Sequence, residues 1–494
     1  FSCPVVVVDG GVLPEDPAAR RDAVERLDAV VGEVLVAGRG ADVVVAGIGD
    51  GDSSVRPRAV LATGPSFRGG LLSSGSTRQP GVVQLQDLTA TALARVGADA
   101  DAVTGRALTV SESGASAAER LADRVAFETR AATLRAVSPQ VTAWLATAYA
   151  LWALLVAVLW WGRGRDAALP RALTVAGVAV AAVPIATFVA NLVPWWRMPS
   201  PGLVFTGVLA VVVAGLTALA VGAGARRELG ALRAVAVLTL AVLAGDVLTG
   251  SGLQLGSVFG QNPIVGGRFY GFGNTSFALY GLAVLVVVAW VAGAGIRSRA
   301  VSAGLAVVVL VVALGIEALP TLGADFGGPP GLLLGGLLVI ALAAGVRLTW
   351  RRVVLAVVGA GVLAALVAWL DWRRPPDART HVGEFVESVV TGEAGVIVGR
   401  KLAQNLANLG SPPLVAMSVA TVVLALVAWR VGWQPVRSGA VVLSGAVVLA
   451  VVGFAVNDSG LVIPAFVAVV LAPLLVAAGP AHRNLDDRNA AKGV

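Results

Sequence analysis

Cysteine and histidine are nearly missing from this chain of 494 residues, which has one cysteine and two histidines. Cys3 has no second cysteine to pair with, so neither an intramolecular disulfide nor a cysteine-based metal site is expected. The histidines, His381 and His482, both lie in the second half of the sequence.

Charge is scarce as well. Charged residues make up 14% of the chain and hydrophobic residues 57%, whereas soluble domains carry about 25% charged residues. With a mean hydropathy of +0.83, the composition predicts an integral membrane protein. The net charge of +7 does not indicate a nucleic-acid partner, because most arginines stand in short loops between apolar runs, where they set membrane topology.

Long apolar runs recur from residue 139 to residue 480. Each is long enough to cross a hydrocarbon core about 30 Å thick. We therefore predict a polytopic α-helical membrane protein with about 11 transmembrane helices, followed by a cytoplasmic tail at 481–494. The predicted spans are 141–161, 172–194, 201–222, 234–250, 274–294, 300–318, 329–346, 353–370, 413–429, 438–456 and 461–479.

Arginine alternates between the two sets of connections. The positive-inside rule places the arginine-rich set in the cytoplasm and the other set, including a long loop at 371–412, outside. The sequence thus predicts a multi-pass plasma-membrane protein with an extracytoplasmic N-terminus and a cytoplasmic C-terminus. The arginine-rich connections contain Arg163, Arg227, Arg297, Arg351 and Arg430.

Residues 1–138 have the composition of a soluble domain. Apolar runs at Val5–Val8 and Val43–Ala46 predict short buried strands. Amphipathic spacing predicts helices at Pro17–Val36, Gln86–Val96 and Ala117–Ala136. Strands that alternate with helices predict a small extracytoplasmic α/β domain.

The segment from Arg56 to Gly97 resembles the late part of the alkaline phosphatase superfamily fold. Family enzymes hold two metal ions with aspartate and histidine. Residues 1–138 contain no histidine, so we predict a degenerate domain without phosphatase activity, metal or cofactor. A divalent cation held by the acids of this domain stays open as an alternative. The residues in register with the family are Ser76, Thr77, Arg78, Gly81, Gln84, Asp87, Leu88 and Thr91, and the acids are Asp9, Asp42, Asp50 and Asp52.

Four polar clusters interrupt the membrane region, and the predicted topology puts all four outside. They are Gly266–Asn274, Pro320–Gly328, Arg379–Glu384 and Asn457–Gly460. Polar side chains at membrane depth are costly and usually functional. The candidate catalytic residues are Glu317, Asp325, Arg379 and His381, and the candidate substrate-binding residues are Arg268, Tyr270, Asn274, Glu384, Arg400, Lys401, Asn457 and Asp458.

Each candidate has a chemical role and a structural alternative. Arg268 suits bidentate phosphate binding, or it extends toward lipid headgroups. His381 beside Arg379 suits proton transfer near neutral pH. Glu317 and Asp325 suit a general base, a cation site or counter-ions to arginine. The Asn457–Gly460 segment is also typical of a simple hairpin turn.

The membrane region is similar to the O-antigen ligase and polymerase superfamily. Arg268, Gly271 and Asn274 match one family element, and Arg379 with His381 matches another, while the family's next outer arginine is absent at Ala324. The resemblance implies a cell-envelope enzyme that transfers a glycan or phosphoglycan from a polyprenyl-diphosphate carrier, with membrane lipids and that lipid-linked substrate as partners. A transporter or flippase and a non-enzymatic scaffold remain alternatives.

Overall fold

The computed structural model describes most of the chain. The described residues are 5–49, 55–100, 103–164, 169–225, 227–265, 267–325, 327–346, 410–457 and 460–479, with isolated positions between 349 and 399. They divide into two compact units. The first comprises Phe1–Val141, Thr187–Val211 and Gly245–Gly273, and the second comprises Thr142–Ala186, Val212–Ala244 and Asn274–Val494.

The first unit contains the three helices predicted near the N-terminus. Helix α1 begins after Asp16, whose carboxylate accepts hydrogen bonds from the backbone N–H groups of Ala18 and Ala19. This satisfies two of the N–H groups that a helix start leaves unpaired. The third helix begins in the first unit and continues past Val141, so that the helix predicted at Ala117–Ala136 and the span predicted at 141–161 are one helix. The helices are α1 Pro17–Ala37, α2 Leu85–Arg95 and α3 Ala117–Arg163.

The strands of the first unit form two antiparallel pairs. Strand β1, Val43–Ala46, pairs with β2, Val60–Thr63. Strand β3, Leu71–Ser73, pairs with β4, Thr109–Ser111. The strand predicted at Val5–Val8 is wrong, because these residues are exposed and form no strand. An apolar run of four residues gives no indication of its pairing partner.

Helices make up the second unit. Of the described helices, eight are long and apolar enough to span a membrane by length and composition, and two more are apolar but shorter. The chain is therefore a mostly helical, multi-pass membrane protein. The helices after α3 are α4 Arg171–Val189, α5 Pro201–Gly224, α6 Gly230–Leu248, α7 Asn274–Gly293, α8 Arg299–Ala318, α9 Pro329–Ala343, α10 Pro412–Val431, α11 Arg437–Val456 and α12 Val462–Ala477. Most of the predicted span at 353–370 and most of the loop at 371–412 lie outside the described residues.

Helix α7 is the most buried of the eight spanning helices and packs against α8, α9, α11 and α12. Small residues allow close approach between α9 and α11, since a side-chain carbon at Gly335 would lie 2.8 Å from the carbonyl oxygen of Gly445. Such contacts are typical of helices that associate within a membrane. The Tyr280 hydroxyl donates a hydrogen bond of 2.9 Å to the Ala313 carbonyl, which fixes the first half of α7 against the end of α8.

Candidate functional site

The chain folds back on itself where α8 ends. The N–H of Asp325 donates a hydrogen bond of 3.1 Å to the carbonyl of Glu317, and the N–H of Gly323 donates one of 2.9 Å to the carbonyl of Ile316. Ala324 adopts a left-handed conformation with a φ of +51°, which is uncommon for a residue other than glycine. This turn brings the side chain of Asp325 back to that of Glu317, and we call these two residues the acid pair.

Both carboxylates of the acid pair point toward Gly328. A side-chain carbon at Gly328 would overlap Glu317 Oε1 and would lie 2.7 Å from Asp325 Oδ2 and 2.5 Å from a ring carbon of Phe277. Only glycine fits here, because any side chain would displace the acids. Glu317 has no exposed surface and Asp325 is 4% exposed. Neither carboxylate oxygen of Glu317 has a hydrogen-bond partner among the described residues.

Asn457 lies beside the turn that carries Asp325, although it follows the end of a different helix, α11. A side-chain carbon at Gly327 would lie 2.9 Å from Asn457 Nδ2, and the N–H of Gly327 donates a hydrogen bond of 3.2 Å to Asp325 Oδ1. Asn457 is 5% exposed. Three of the predicted site residues are thus brought together by α8, α11 and the turn that precedes α9.

A second arrangement of predicted residues lies within the first unit. The guanidinium carbon of Arg78 is 4.6 Å from the centre of the Tyr270 ring. Gln79 Nε2 donates hydrogen bonds of 2.8 Å to the Gly250 carbonyl and 3.2 Å to the Phe269 carbonyl. The segment from Arg56 to Gly97 therefore contacts the loop that contains the first polar cluster. The sequence alone gave no indication that these two segments are in contact.

The predicted phosphate ligand Arg268 is partly engaged by its own loop. Its Nη1 donates a hydrogen bond of 2.6 Å to the carbonyl of Phe272, which closes the loop around Gly271. Arg78 is exposed, and both Arg268 and Tyr270 are half-buried. The Arg78 guanidinium thus lies over the Tyr270 ring, and Arg268 is on the same loop as this ring. Asn274, the remaining residue of this cluster, is the first residue of α7 in the second unit.

Buried polar side chains that the sequence did not predict as site residues organise the loop at 245–273. The Asp246 carboxylate accepts hydrogen bonds from the N–H groups of Leu253 at 2.6 Å and Gln254 at 2.8 Å. Asn191 Nδ2 donates to the Gly256 carbonyl at 3.0 Å, and Asn191 Oδ1 accepts from Trp195 Nε1 at 3.1 Å. These residues hold the loop backbone in place.

Asp87 occupies the centre of a hydrogen-bond network in the first unit. Its carboxylate accepts bonds of 2.6 Å from the hydroxyls of Ser74 and Ser76, 2.8 Å from the N–H of Gln84 and 2.9 Å from the N–H of Arg106. Burial alone would raise the pKa of Asp87, but these four bonds together hold it below its ordinary value. Asp87, Ser76 and Gln84 therefore have a structural role here.

The remaining predicted site residues are Arg379, His381, Glu384, Arg400, Lys401 and Asp458, which lie outside the described residues. Among the described residues, no group of three or more histidine, cysteine, aspartate or glutamate side chains could hold a metal ion. Asp42 instead accepts a hydrogen bond of 2.9 Å from the N–H of Ser66. No protein-family model, curated protein or solved structure matches the chain.

Proposed function

We propose that this chain is a cell-envelope membrane enzyme that transfers a glycan or phosphoglycan from a polyprenyl-diphosphate carrier. The observation that supports the proposal is the surface at which Arg78 lies over Tyr270, with Arg268 on the same loop. Guanidinium groups bind phosphate oxygens in a bidentate way. An aromatic ring provides a flat apolar surface against which a sugar ring or a prenyl chain can pack.

The charge of this surface favours an anionic ligand. Arg78 and Arg268 contribute positive charge, while Asp246, the buried acid near the end of α6, directs its carboxylate to two backbone N–H groups. The proposal places residues 1–138 and this loop on the outer side of the plasma membrane, as the arginine distribution indicates. His381 is the candidate general base for the transfer, and Arg379 is the candidate ligand of the diphosphate leaving group.

A binding experiment on the full chain in lipid nanodiscs tests the proposal. We expect Arg78→Ala and Tyr270→Ala each to weaken binding of a polyprenyl diphosphate. For the arginine, the loss of a hydrogen bond to a charged group, about 1.5–3 kcal/mol, corresponds to roughly a tenfold or larger increase in Kd. Outer-surface glycopolymer in cells that express each variant should fall in parallel.

The matched control is Arg95→Ala, because the guanidinium carbon of Arg95 lies 5.4 Å from the centre of the Phe67 ring in the same unit. This variant removes an arginine–aromatic contact that is not on the loop. Equal affinities for Arg78→Ala, Tyr270→Ala and Arg95→Ala would show that the surface does not bind the carrier.

The acid pair also favours a second function, that of a transporter or flippase for a lipid-linked or anionic substrate. Buried carboxylates among membrane helices commonly take part in ion-coupled transport. In proteoliposomes that contain the purified chain, a fluorescent polyprenyl-diphosphate glycan distinguishes the two functions. Movement of the lipid between leaflets without any glycan transfer supports the transporter, whereas transfer to an added acceptor supports the enzyme.

A further inference from the structure

Glu317 is a buried acid to which a positively charged ligand could bind. Its side chain is fully buried, and neither of its carboxylate oxygens has a hydrogen-bond donor among the described residues. A carboxylate without donors is costly to bury, so proteins pair such a group, protonate it or bind a metal to it. The side chain points toward Gly328 and Asp325. A cation that neutralises Glu317 would therefore bind at this position.

Two carboxylates and one amide lie around this place. Glu317 and Asp325 provide the carboxylates, and the amide of Asn457 lies against Gly327, one residue from Gly328, with Nδ2 as its nearest atom. A 180° rotation of this amide about its last side-chain bond would present Oδ1 there instead. Hard cations such as Mg²⁺ prefer oxygen ligands of this kind, and Mg²⁺ is commonly held by one or two carboxylates with waters or substrate phosphates in its other positions. Two ionised carboxylates carry the charge that one divalent cation neutralises.

Two glycines let the acid pair and Asn457 lie close to the backbone of the turn. Gly327 and Gly328 lack side chains where a carbon atom would crowd Asn457 or overlap the acid pair. The loop backbone that precedes them is fixed by the hydrogen bonds from Gly323 and Asp325 to the last turn of α8. These contacts preorganise the ligands before a cation arrives, which favours binding because less order has to be gained.

We propose that Glu317, Asp325 and Asn457 form a binding site for one divalent cation of the Mg²⁺ class, between the end of α8, the start of α9 and the end of α11. The site is new with respect to the proposed transfer reaction and does not depend on it. A bound Mg²⁺ would keep open coordination positions, which suit a phosphate oxygen.

The test uses Mn²⁺ as a paramagnetic substitute for Mg²⁺. The full chain, purified in detergent and freed of metal with EDTA, is titrated with Mn²⁺ while free Mn²⁺ is followed by electron paramagnetic resonance. We expect a single site per chain from which Mg²⁺ displaces Mn²⁺. Glu317→Gln and Asp325→Asn should each weaken Mn²⁺ binding by at least about tenfold, since even residues that only support metal ligands contribute that much.

Asp246→Asn is the matched control. Asp246 is also a buried acid, 5% exposed, but its carboxylate already accepts two backbone hydrogen bonds. Its replacement should leave Mn²⁺ affinity unchanged. An equal loss in Asp246→Asn, or a wild-type chain that binds protons but no Mn²⁺ at neutral pH, would overturn the proposal.

Thermal unfolding gives a second, independent readout. In EDTA, Glu317→Gln should unfold at or above the wild-type temperature, because the substitution removes an uncompensated buried charge. Added Mg²⁺ should raise the unfolding temperature of the wild type by mass action but not that of the variant. If Glu317→Gln does not fold, Asn457→Ala serves instead, and unchanged Mn²⁺ affinity in that variant counts against the site. No lipid substrate is present, so failure of the transfer hypothesis leaves these results intact.

Discussion

Asp87→Asn is the substitution whose effect the structure defines most closely. Each carboxylate oxygen of Asp87 accepts one bond from a serine hydroxyl and one from a backbone N–H. An asparagine presents one oxygen and one NH₂ group, so one backbone N–H, that of Gln84 or Arg106, must face a donor. Hydroxyl groups can turn and accept a hydrogen bond, but backbone N–H groups cannot.

The free energy that Asp87→Asn should cost the folded state follows from these contacts. Asp87 has no exposed surface, so the unpaired N–H cannot be hydrated without opening the structure. Loss of the charge-assisted bond and burial of an unsatisfied donor together cost about 2–4 kcal/mol. If the cost is local, hydrogen exchange at the Gln84 and Arg106 amides should accelerate by about 30- to 1000-fold.

Hydrogen exchange by mass spectrometry on the full chain measures this effect. Because the pKa of Asp87 is lowered in the folded state, its contribution to stability is present above the unfolded pKa of about 4 and is lost as the pH falls through the folded pKa. After correction for intrinsic rates, protection in the wild type should therefore fall in acid. Asp87→Asn should lack this loss.

The control is Asp123→Asn, which removes an exposed ion pair with Arg197 whose side chains are 58% and 51% exposed. Such pairs contribute about 0–1 kcal/mol, so exchange at Gln84 and Arg106 should not change. Wild-type protection of these two amides in Asp87→Asn would refute the reasoning.

Two further predictions test the packing, one in each unit. Asn191→Ala removes a buried amide that donates to the Gly256 carbonyl and accepts from Trp195 Nε1. Backbone hydrogen exchange across residues 251–261 should accelerate by an amount that corresponds to a loss of about 2 kcal/mol of local stability. Unchanged exchange there would contradict the loop arrangement. Gly328→Ala should destabilise the chain by about 1–3 kcal/mol through overlap with the acid pair, whereas Gly315→Ala, with nothing within 4 Å of the added carbon, should stabilise α8 by about 0.5–1 kcal/mol. Thermal unfolding compares the two, and equal effects would contradict the close packing at Gly328.

The helices were predictable because hydropathy and capping are local properties. The span predicted at 274–294 corresponds to α7 at Asn274–Gly293, since an apolar run must end where polar residues reach water. The helix predicted at 117–136 and the span predicted at 141–161 were wrongly separated, because α3 continues through Pro139 to Arg163. The strand predicted at Val5–Val8 was wrong because a strand, unlike a helix, depends on a pairing partner that its own sequence does not specify.

The acid pair was partly predictable. Glu317 and Asp325 are eight positions apart and flank a predicted turn, so their proximity was a reasonable hypothesis. The burial of Glu317 without a donor, and its position against Gly328, depend on the left-handed turn at Ala324 and on the ring of Phe277. Neither this burial of Glu317 nor its position against Gly328 can be predicted from hydropathy.

The sequence by itself determined that this is a multi-pass helical membrane protein whose polar residues gather in a few clusters, because the cost of placing polar groups in hydrocarbon acts on each segment separately. Only the tertiary structure decided which clusters meet. Arg78 contacts Tyr270, and Asn457 lies beside the turn that carries Asp325, although long stretches of chain separate these residues. Such contacts arise from packing between elements distant in sequence, on which local composition has no bearing.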